Sequence, residues 1–401
     1  MEYVKFGELY SIPSSNGVSR PSAVRGKGYK MINMGELFAN DIISDMPMER
    51  VHLSLKEKEK FLVQENDLLF ARQSLVAEGA GKCSIVKQLS GETTFESHLI
   101  RVRLNEKLCN PWFYYYLFQL PYNPVKTIVN QCAQAGIRGK ELVNIKVPLP
   151  SIEVQNKIAN ALSTFDELIE NNNKRIKLLE QMAENLFKEW FVRFRFPGYT
   201  TIKFENGLPL GWEFRSVEDI SAVLQRGISP IYADDGESWV INQKCIRKSI
   251  MDISEARKQT KAFKPILNLQ DGDTVICSTG TGTLGRVGQV YGDYPHTTFD
   301  SHVTMVRAKE GVGKYFLYYS LKNLEPWFMS MGIGSTNQQE LYRKTIKNAK
   351  VVVPDIGVMN MFEEHISTIH NQIILLSKST ECATKQRDML LPRLMSGKLE
   401  V

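Results

Sequence analysis

The chain has 401 residues and a mass of 45.7 kDa, the length of two or three ordinary domains. Hydrophobic residues make up 43% and charged residues 23%, the balance of a globular protein with a sizeable core, so wholesale disorder is excluded. Lys and Arg number 50 against 44 Asp and Glu, a net +6 that admits a polyanion partner without requiring one.

No apolar run reaches the length of about eighteen residues that a membrane span needs, and the opening Met1-Glu2-Tyr3-Val4-Lys5-Phe6 lacks the apolar stretch of a secretory signal. The cysteines (Cys83, Cys109, Cys132, Cys245, Cys277, Cys382) form no C-x-x-C pair. That spacing fits reduced thiols in a cytoplasm and speaks against a zinc site or a disulfide framework.

Along the chain, the first 150 residues read as short strands with turns and a few helices, for example Asp67-Leu68-Leu69-Phe70-Ala71. Pro111-Trp112-Phe113-Tyr114-Tyr115-Tyr116-Leu117 is aromatic at helical spacing. A buried helix is the expected reading, and a stacking platform for single-stranded bases the functional alternative. Thr93-Thr94-Phe95-Glu96-Ser97-His98 then recurs 204 residues later as Thr297-Thr298-Phe299-Asp300-Ser301-His302. Val147-Pro148-Leu149-Pro150 answers Val351-Val352-Val353-Pro354 at the same offset, and Gln64-Glu65-Asn66-Asp67 matches Gln270-Asp271-Gly272-Asp273. Two long copies imply two similar lobes related by a pseudo-twofold axis, not a solenoid.

After Pro150 the period becomes helical. Ile158, Leu162, Phe165, Ile169, Asn172, Ile176, Leu179, Ala183, Leu186 and Trp190 step by four and three without a slip, which is a coiled-coil seam. Ser151 is the expected cap, and Pro197-Gly198 the expected stop. The second lobe carries its own aromatic stretch, Tyr315-Phe316-Leu317-Tyr318-Tyr319, and leads into a second seam. This seam is Phe362, Ile366, Ile369, Ile373, Leu376, Thr380, Ala383, Arg387, Leu390 and Leu394, with Asp355 as cap and Pro392 expected to break or kink the helix. An antiparallel pairing centred on both seams sets Asn172 against Thr380 and Ile176 against Leu376, a polar pair that fixes register. Residues 1–150 carry +4 and residues 198–353 +3, the helix 151–197 is neutral and the tail 354–401 carries −1, so the lobes are the parts that suit a polyanion.

Catalytic signals are weak. Gly280-Thr281-Gly282-Thr283-Leu284-Gly285 has the form G-x-G-x-x-G, but the residues after it alternate like a strand and open no helix for a pyrophosphate. Only Gly81/Gly285 and Lys82/Arg286 repeat in both lobes, a turn offering a cation to a phosphate. Asn110-Pro111-Trp112-Phe113 lacks the second proline of the amino-methyltransferase motif. His98 and His302 sit beside an acid and a serine in both lobes, which favours a shared structural or DNA-facing role over a nucleophile relay. His365 and His370 are five apart, wrong for a metal pair on one helical face. The chain reads as a binder; a DNA methyltransferase or nuclease with its own active site is the alternative.

The sequence resembles the specificity subunit of type I restriction–modification systems over essentially its whole length. The resemblance is carried by Val147-Pro148-Leu149-Pro150 leading into Asp166-Glu167-Leu168-Ile169-Glu170-Asn171-Asn172-Asn173-Lys174-Arg175-Ile176, and by Lys188-Glu189-Trp190-Phe191-Val192. It continues in Asn206-Gly207-Leu208-Pro209-Leu210-Gly211-Trp212-Glu213, Arg226-Gly227-Ile228-Ser229-Pro230, Val240-Ile241-Asn242-Gln243-Lys244-Cys245-Ile246 and Leu390-Leu391-Pro392-Arg393-Leu394-Met395-Ser396-Gly397. It implies an α+β fold with two pseudo-twofold-related α/β target recognition domains (1–146 and 198–346), separated by two long antiparallel coiled-coil helices (spacers 147–197 and 347–401). It further implies a non-catalytic, cytoplasmic prokaryotic subunit reading a bipartite, asymmetric double-stranded DNA target. Methylation subunits would dock on the helices and a restriction/translocase subunit would complete the enzyme. No cofactor is expected in this chain; S-adenosylmethionine, ATP and Mg belong to those partners. The helices would act as a ruler for half-sites about one duplex turn, roughly 34–36 Å, apart. Candidate DNA contacts are polar residues in turns: Arg72, Gln73, Ser74, Lys82, Gln134 and Arg138 in the first lobe, and Arg226, Ser278, Thr279, Thr281, Arg286, Asn337 and Gln338 in the second.

Overall fold

A computed structural model of the chain describes residues 2–130, 135–247, 251–280, 282–292, 294–334 and 339–400. Its contacts divide into two compact units, residues 1–171 with 379–401, and residues 172–378.

The first unit is built on a five-stranded sheet in the order Tyr10–Asn16, Leu99–Leu104, Leu68–Ala71, Cys83–Val86, Ile42–Ile43. The first three pairings are antiparallel and the last is parallel. Leu68–Ala71 is buried at every position, so it reads as a continuous apolar run and not as an alternating one. A three-stranded sheet joins Glu49–Val51, Tyr29–Ile32 and Thr93–Phe95, antiparallel and then parallel. Tyr3–Lys5 pairs antiparallel with Lys146–Pro148.

The second unit repeats this plan. Ser221–Arg226, Val303–Ala308, Thr274–Cys277 and Val287–Gln289 form an antiparallel sheet in that order. Arg257–Gln259, Ser238–Ile241 and Thr297–Phe299 form the three-stranded one, again antiparallel and then parallel. Glu213–Ser216 pairs antiparallel with Lys350–Val353.

The turn entering each central strand needs a left-handed residue, supplied by Asn66 (φ 69°) and Gly272 (φ 88°). The next residue is a fully buried aspartate in both units. Asp67 takes a two-pronged ion pair from Arg103, and Asp273 from Arg307, with all four nitrogen–oxygen distances at 2.7 Å. Each carboxylate also accepts the amide three residues earlier at 2.8 Å, from Gln64 and Gln270. The duplicated Asp is therefore a strand anchor held by geometry that only an arginine fork satisfies.

The aromatic stretches are buried helices, Pro111–Gln119 and Lys314–Asn323. Asn110 caps the first through the Trp112 amide at 2.8 Å. The long helices run Ile152–Phe187 and Ile356–Met395. Ser151 accepts the Val154 amide at 3.4 Å, and Asp355 accepts the Gly357 and Val358 amides at 2.9 and 3.1 Å, so both expected caps are in place. Two expected stops shift. The first helix gives way to a π turn at Lys188–Val192, before Pro197, and the second runs three residues beyond Pro392. A proline this close to a helix end interrupts only the last turn.

Each unit contains its own antiparallel pair of helix segments. In the first, Ile158 and Leu162 share a core with Leu391, Leu394 and Met395, with Leu390 against it. In the second, Trp190 and Phe187 pack on Phe362 with ring centroids 5.9 and 6.0 Å apart, above Ile366, Ile369 and Ile373. Ile176, Leu179 and Leu186 are half-buried against the same cluster. Phe165, Ile169 and Thr380 are half-buried, while Asn172 and Leu376 are buried.

Cys83, Cys109, Cys245 and Cys277 are buried free thiols, and Cys382 is exposed. Burial pushes the Cys245 thiol up to about 11, and those of Cys109 and Cys277 up to about 12. Among these five, Cys382 is expected to react with a maleimide in the folded chain and the others only after unfolding; peptide mapping of the labelled protein checks this.

Candidate nucleic-acid interface

In the first unit the short strand Gln73–Ser74 pairs antiparallel with Ala135–Gly136, and the Ile137 amide donates to the Arg72 carbonyl at 2.9 Å. This pairing brings Arg72, Gln73, Ser74 and Arg138 to one edge. Arg72 and Arg138 are exposed, and neither guanidinium has an ion-pair partner among the described residues. Gln73 and Ser74 also line an open cavity of about 730 Å³, with Met34, Phe38, Leu75 and Lys82 around it. Gln134 lies outside the described residues.

Lys82 corrects the expectation of a free cation in the turn. Its ammonium lies 3.0 Å from the Asp41 carboxylate and donates to the Phe38 carbonyl at 2.8 Å, so it closes the sheet edge.

The second unit builds the equivalent edge from Thr279 bridged to Glu340, with the Leu341 amide donating to the Ser278 carbonyl at 2.8 Å. Three further expectations are corrected here. Ser278 is fully buried and its hydroxyl is bonded to that of Thr304 at 2.6 Å, so no base can reach it. Arg226 is ion-paired to Glu340 and also donates to the Ser301 carbonyl. Arg286 donates to the Ile246 and Gly282 carbonyls, both at 3.0 Å, so it braces the loop. Thr279 stays half-exposed, its hydroxyl 2.7 Å from both Gln243 Nε2 and His302 Nδ1. Thr281, Asn337 and Gln338 lie outside the described residues.

No nucleophile relay forms around the duplicated histidines. Asp300 accepts the backbone amide of His302 at 2.9 Å instead of its ring, and the Ser301 carbonyl is engaged by Arg226. Burial raises the Asp300 carboxyl above the usual aspartate range. In the first unit Glu96 accepts the Met34 amide at 2.5 Å, and His98 Nδ1 lies 3.5 Å from its second oxygen. Among the described residues no cluster of His, Cys, Asp and Glu is placed to hold a metal ion.

Two polar anchors on the long helices were missed by sequence reasoning. Asp166 accepts the Tyr116 hydroxyl and Arg387 Nη1, each at 2.6 Å. Its counterpart 204 residues on is His370, whose Nε2 lies 2.8 Å from the Tyr319 hydroxyl and whose Nδ1 is bonded to the Tyr291 hydroxyl. Arg387 stands in the apolar seam because Asp166 is buried opposite it. The signal was present: Tyr116 and Tyr319 occupy the same place in the two aromatic helices.

The type I restriction modification DNA specificity domain model matches residues 1–181 and 209–375. The type I restriction enzyme MjaIX specificity subunit of Methanocaldococcus jannaschii is 26% identical over 299 residues, spanning 72% of this chain and 69% of that protein. The MjaVIII specificity subunit of the same organism is 24% identical over 359 residues, spanning 85% and 81%. The crystal structure of a type I restriction-modification system S subunit from M. genitalium superposes with a TM-score of 0.62 at 14% identity, covering 98% of this chain and 95% of that one. The chain thus belongs to the type I restriction modification DNA specificity family, as a specificity subunit and not a catalytic one.

Proposed function

We propose that the chain reads a bipartite, asymmetric duplex, with residues 1–146 and 198–346 as the two recognition domains. Methylation subunits dock on the long helices, which set the distance between half-sites, and a restriction/translocase subunit joins them. S-adenosylmethionine, ATP and Mg are held by those partners. The observation that carries this reading is the repeated edge, a loop after the central strand joined to the segment that precedes each long helix, in lobes whose net charge is +4 over residues 1–150 and +3 over residues 198–353.

Arg72 and Arg138 supply phosphate contacts in the first domain. Replacing either by Ala is expected to weaken binding to all duplexes and to flatten the dependence of log affinity on log salt by about 0.9 for each phosphate no longer neutralised. A titration of the assembled enzyme against DNA at several salt concentrations checks this, and unchanged slopes remove the two residues. Incubation of the purified chain alone with labelled S-adenosylmethionine and DNA is expected to give no methyl transfer; transfer by the chain itself would overturn the reading.

A further inference from the structure

Residues 282–285 open no helix for a pyrophosphate, yet Thr279, Gly280 and Thr283 close around one side chain, Gln243. The Gln243 amide donates from Nε2 to the Thr279 hydroxyl at 2.7 Å, and its Oε1 accepts the Thr283 hydroxyl at 3.1 Å. Gly280, at φ +105°, passes so near that a Cβ there would lie 2.5 Å from Gln243 Oε1 and 2.3 Å from Thr283 Oγ1. Glycine is required at this position by both its dihedral angle and this approach.

The backbone beneath Gln243 is fixed as well. Asn242 caps the turn through the Lys244 amide at 2.8 Å, and Arg286 ties the Ile246 carbonyl to the Gly282 carbonyl. A surface glutamine ordinarily keeps its rotamer freedom, and ordering it costs free energy. Here the ordering is built in, while the side chain remains only half-buried beside the exposed ring of His302. Its amide retains one N–H and one oxygen lone pair, the donor–acceptor pair that matches N7 and N6 of adenine in the major groove. In the first unit the same position, two residues past the strand and one past the capping asparagine, is Met34, which lines the open cavity.

We propose that Gln243 is a specificity-determining residue of the second recognition domain, pre-oriented by Thr279 and Thr283 to read an adenine edge. The assignment rests on the DNA-reading role above. The test is competition binding by the assembled enzyme, first with a random duplex pool to define the wild-type target, then with duplexes replaced one base pair at a time. Gln243→Met is expected to lower discrimination for adenine at one position of one half-site by about tenfold to a hundredfold, leaving the other half-site unchanged. Unaltered discrimination at every position would overturn the assignment. If Gln243→Met loses binding to all duplexes, Thr283→Val decides, because it unlocks the amide and keeps it: relaxed discrimination at a single position supports the assignment, and wild-type discrimination overturns it. A wild-type enzyme without any sequence preference would instead defeat the DNA-reading role itself.

Discussion

Arg387→Ala is expected to destabilise the chain by about 3–5 kcal/mol, the cost of leaving the buried Asp166 carboxylate without its counter-ion. The Asp166 side chain is only 7% exposed, so little water reaches the stranded carboxylate, whereas Arg387 is 25% exposed and keeps Asp388 at 2.9 Å in Asp166→Ala, which costs less. Arg387→Ala leaves the carboxylate with the Tyr116 hydroxyl alone, and Tyr116→Phe removes one charge-assisted hydrogen bond, about 1.5–3 kcal/mol. Replacing Asp166 and Arg387 together by leucine is expected to cost far less than Arg387→Ala, since no charge is then left buried. Urea titration of the four variants, followed by tryptophan fluorescence, reads the series. Additive single and double losses would show that the pair does not act as a unit.

Acid is expected to loosen the second unit well before carboxylates titrate generally. Burial, and then the charge of Lys314, push the His370 imidazole down to about 3 from the ordinary 6.5. The groups facing it are the hydroxyls of Tyr291 and Tyr319, with the rings of Tyr315 and Tyr318 beside them, so both ring nitrogens are engaged by neutral hydroxyls. A histidine kept neutral by the fold contributes its full stability above pH 6.5, where the unfolded ring is neutral too, and loses it progressively as pH falls toward 3. The span amounts to at most about 4–5 kcal/mol. Chemical denaturation at pH 7.5, 5.5 and 4.5 should show a decline that His370→Phe abolishes. An identical decline in that variant would assign the acid sensitivity to other groups.

The repeat, both aromatic helices, both helix caps and the long seams were legible in the sequence because each rests on local rules of spacing and capping. Phe187 and Phe191 were not, because the seam was stepped at four and three. Phe187 lies on the α turn four residues past Ala183, and the π turn at Lys188–Val192, closed by the Arg193 amide on the Lys188 carbonyl at 2.9 Å, adds a residue that brings Phe191 into the core beside Trp190. The DNA candidates were chosen as polar residues in turns, a rule blind to what else a side chain can bond. Arg226, Lys82 and Arg286 found carboxylates and carbonyls of their own chain, and Ser278 sits at a strand end where burial is complete. Gln243 stands in a segment that carries the family resemblance, yet it was absent from the DNA candidates for the opposite reason. Its significance lies in Thr279 and Thr283, about forty residues away, and no spacing rule connects them.

The two lobes carry different plugs for their own helix segments. The first offers the Tyr116 hydroxyl and the Lys87 ammonium to two acids, Asp166 and Glu170. At the matching sites the second offers two phenols, Tyr319 and Tyr291, to one uncharged imidazole. A chimaera that exchanged the lobes would press an ammonium toward His370 and take the Lys87 charge away from Glu170. Each lobe is therefore matched to its own helix segment, and exchanging the two within this chain is expected to cost both sets of contacts.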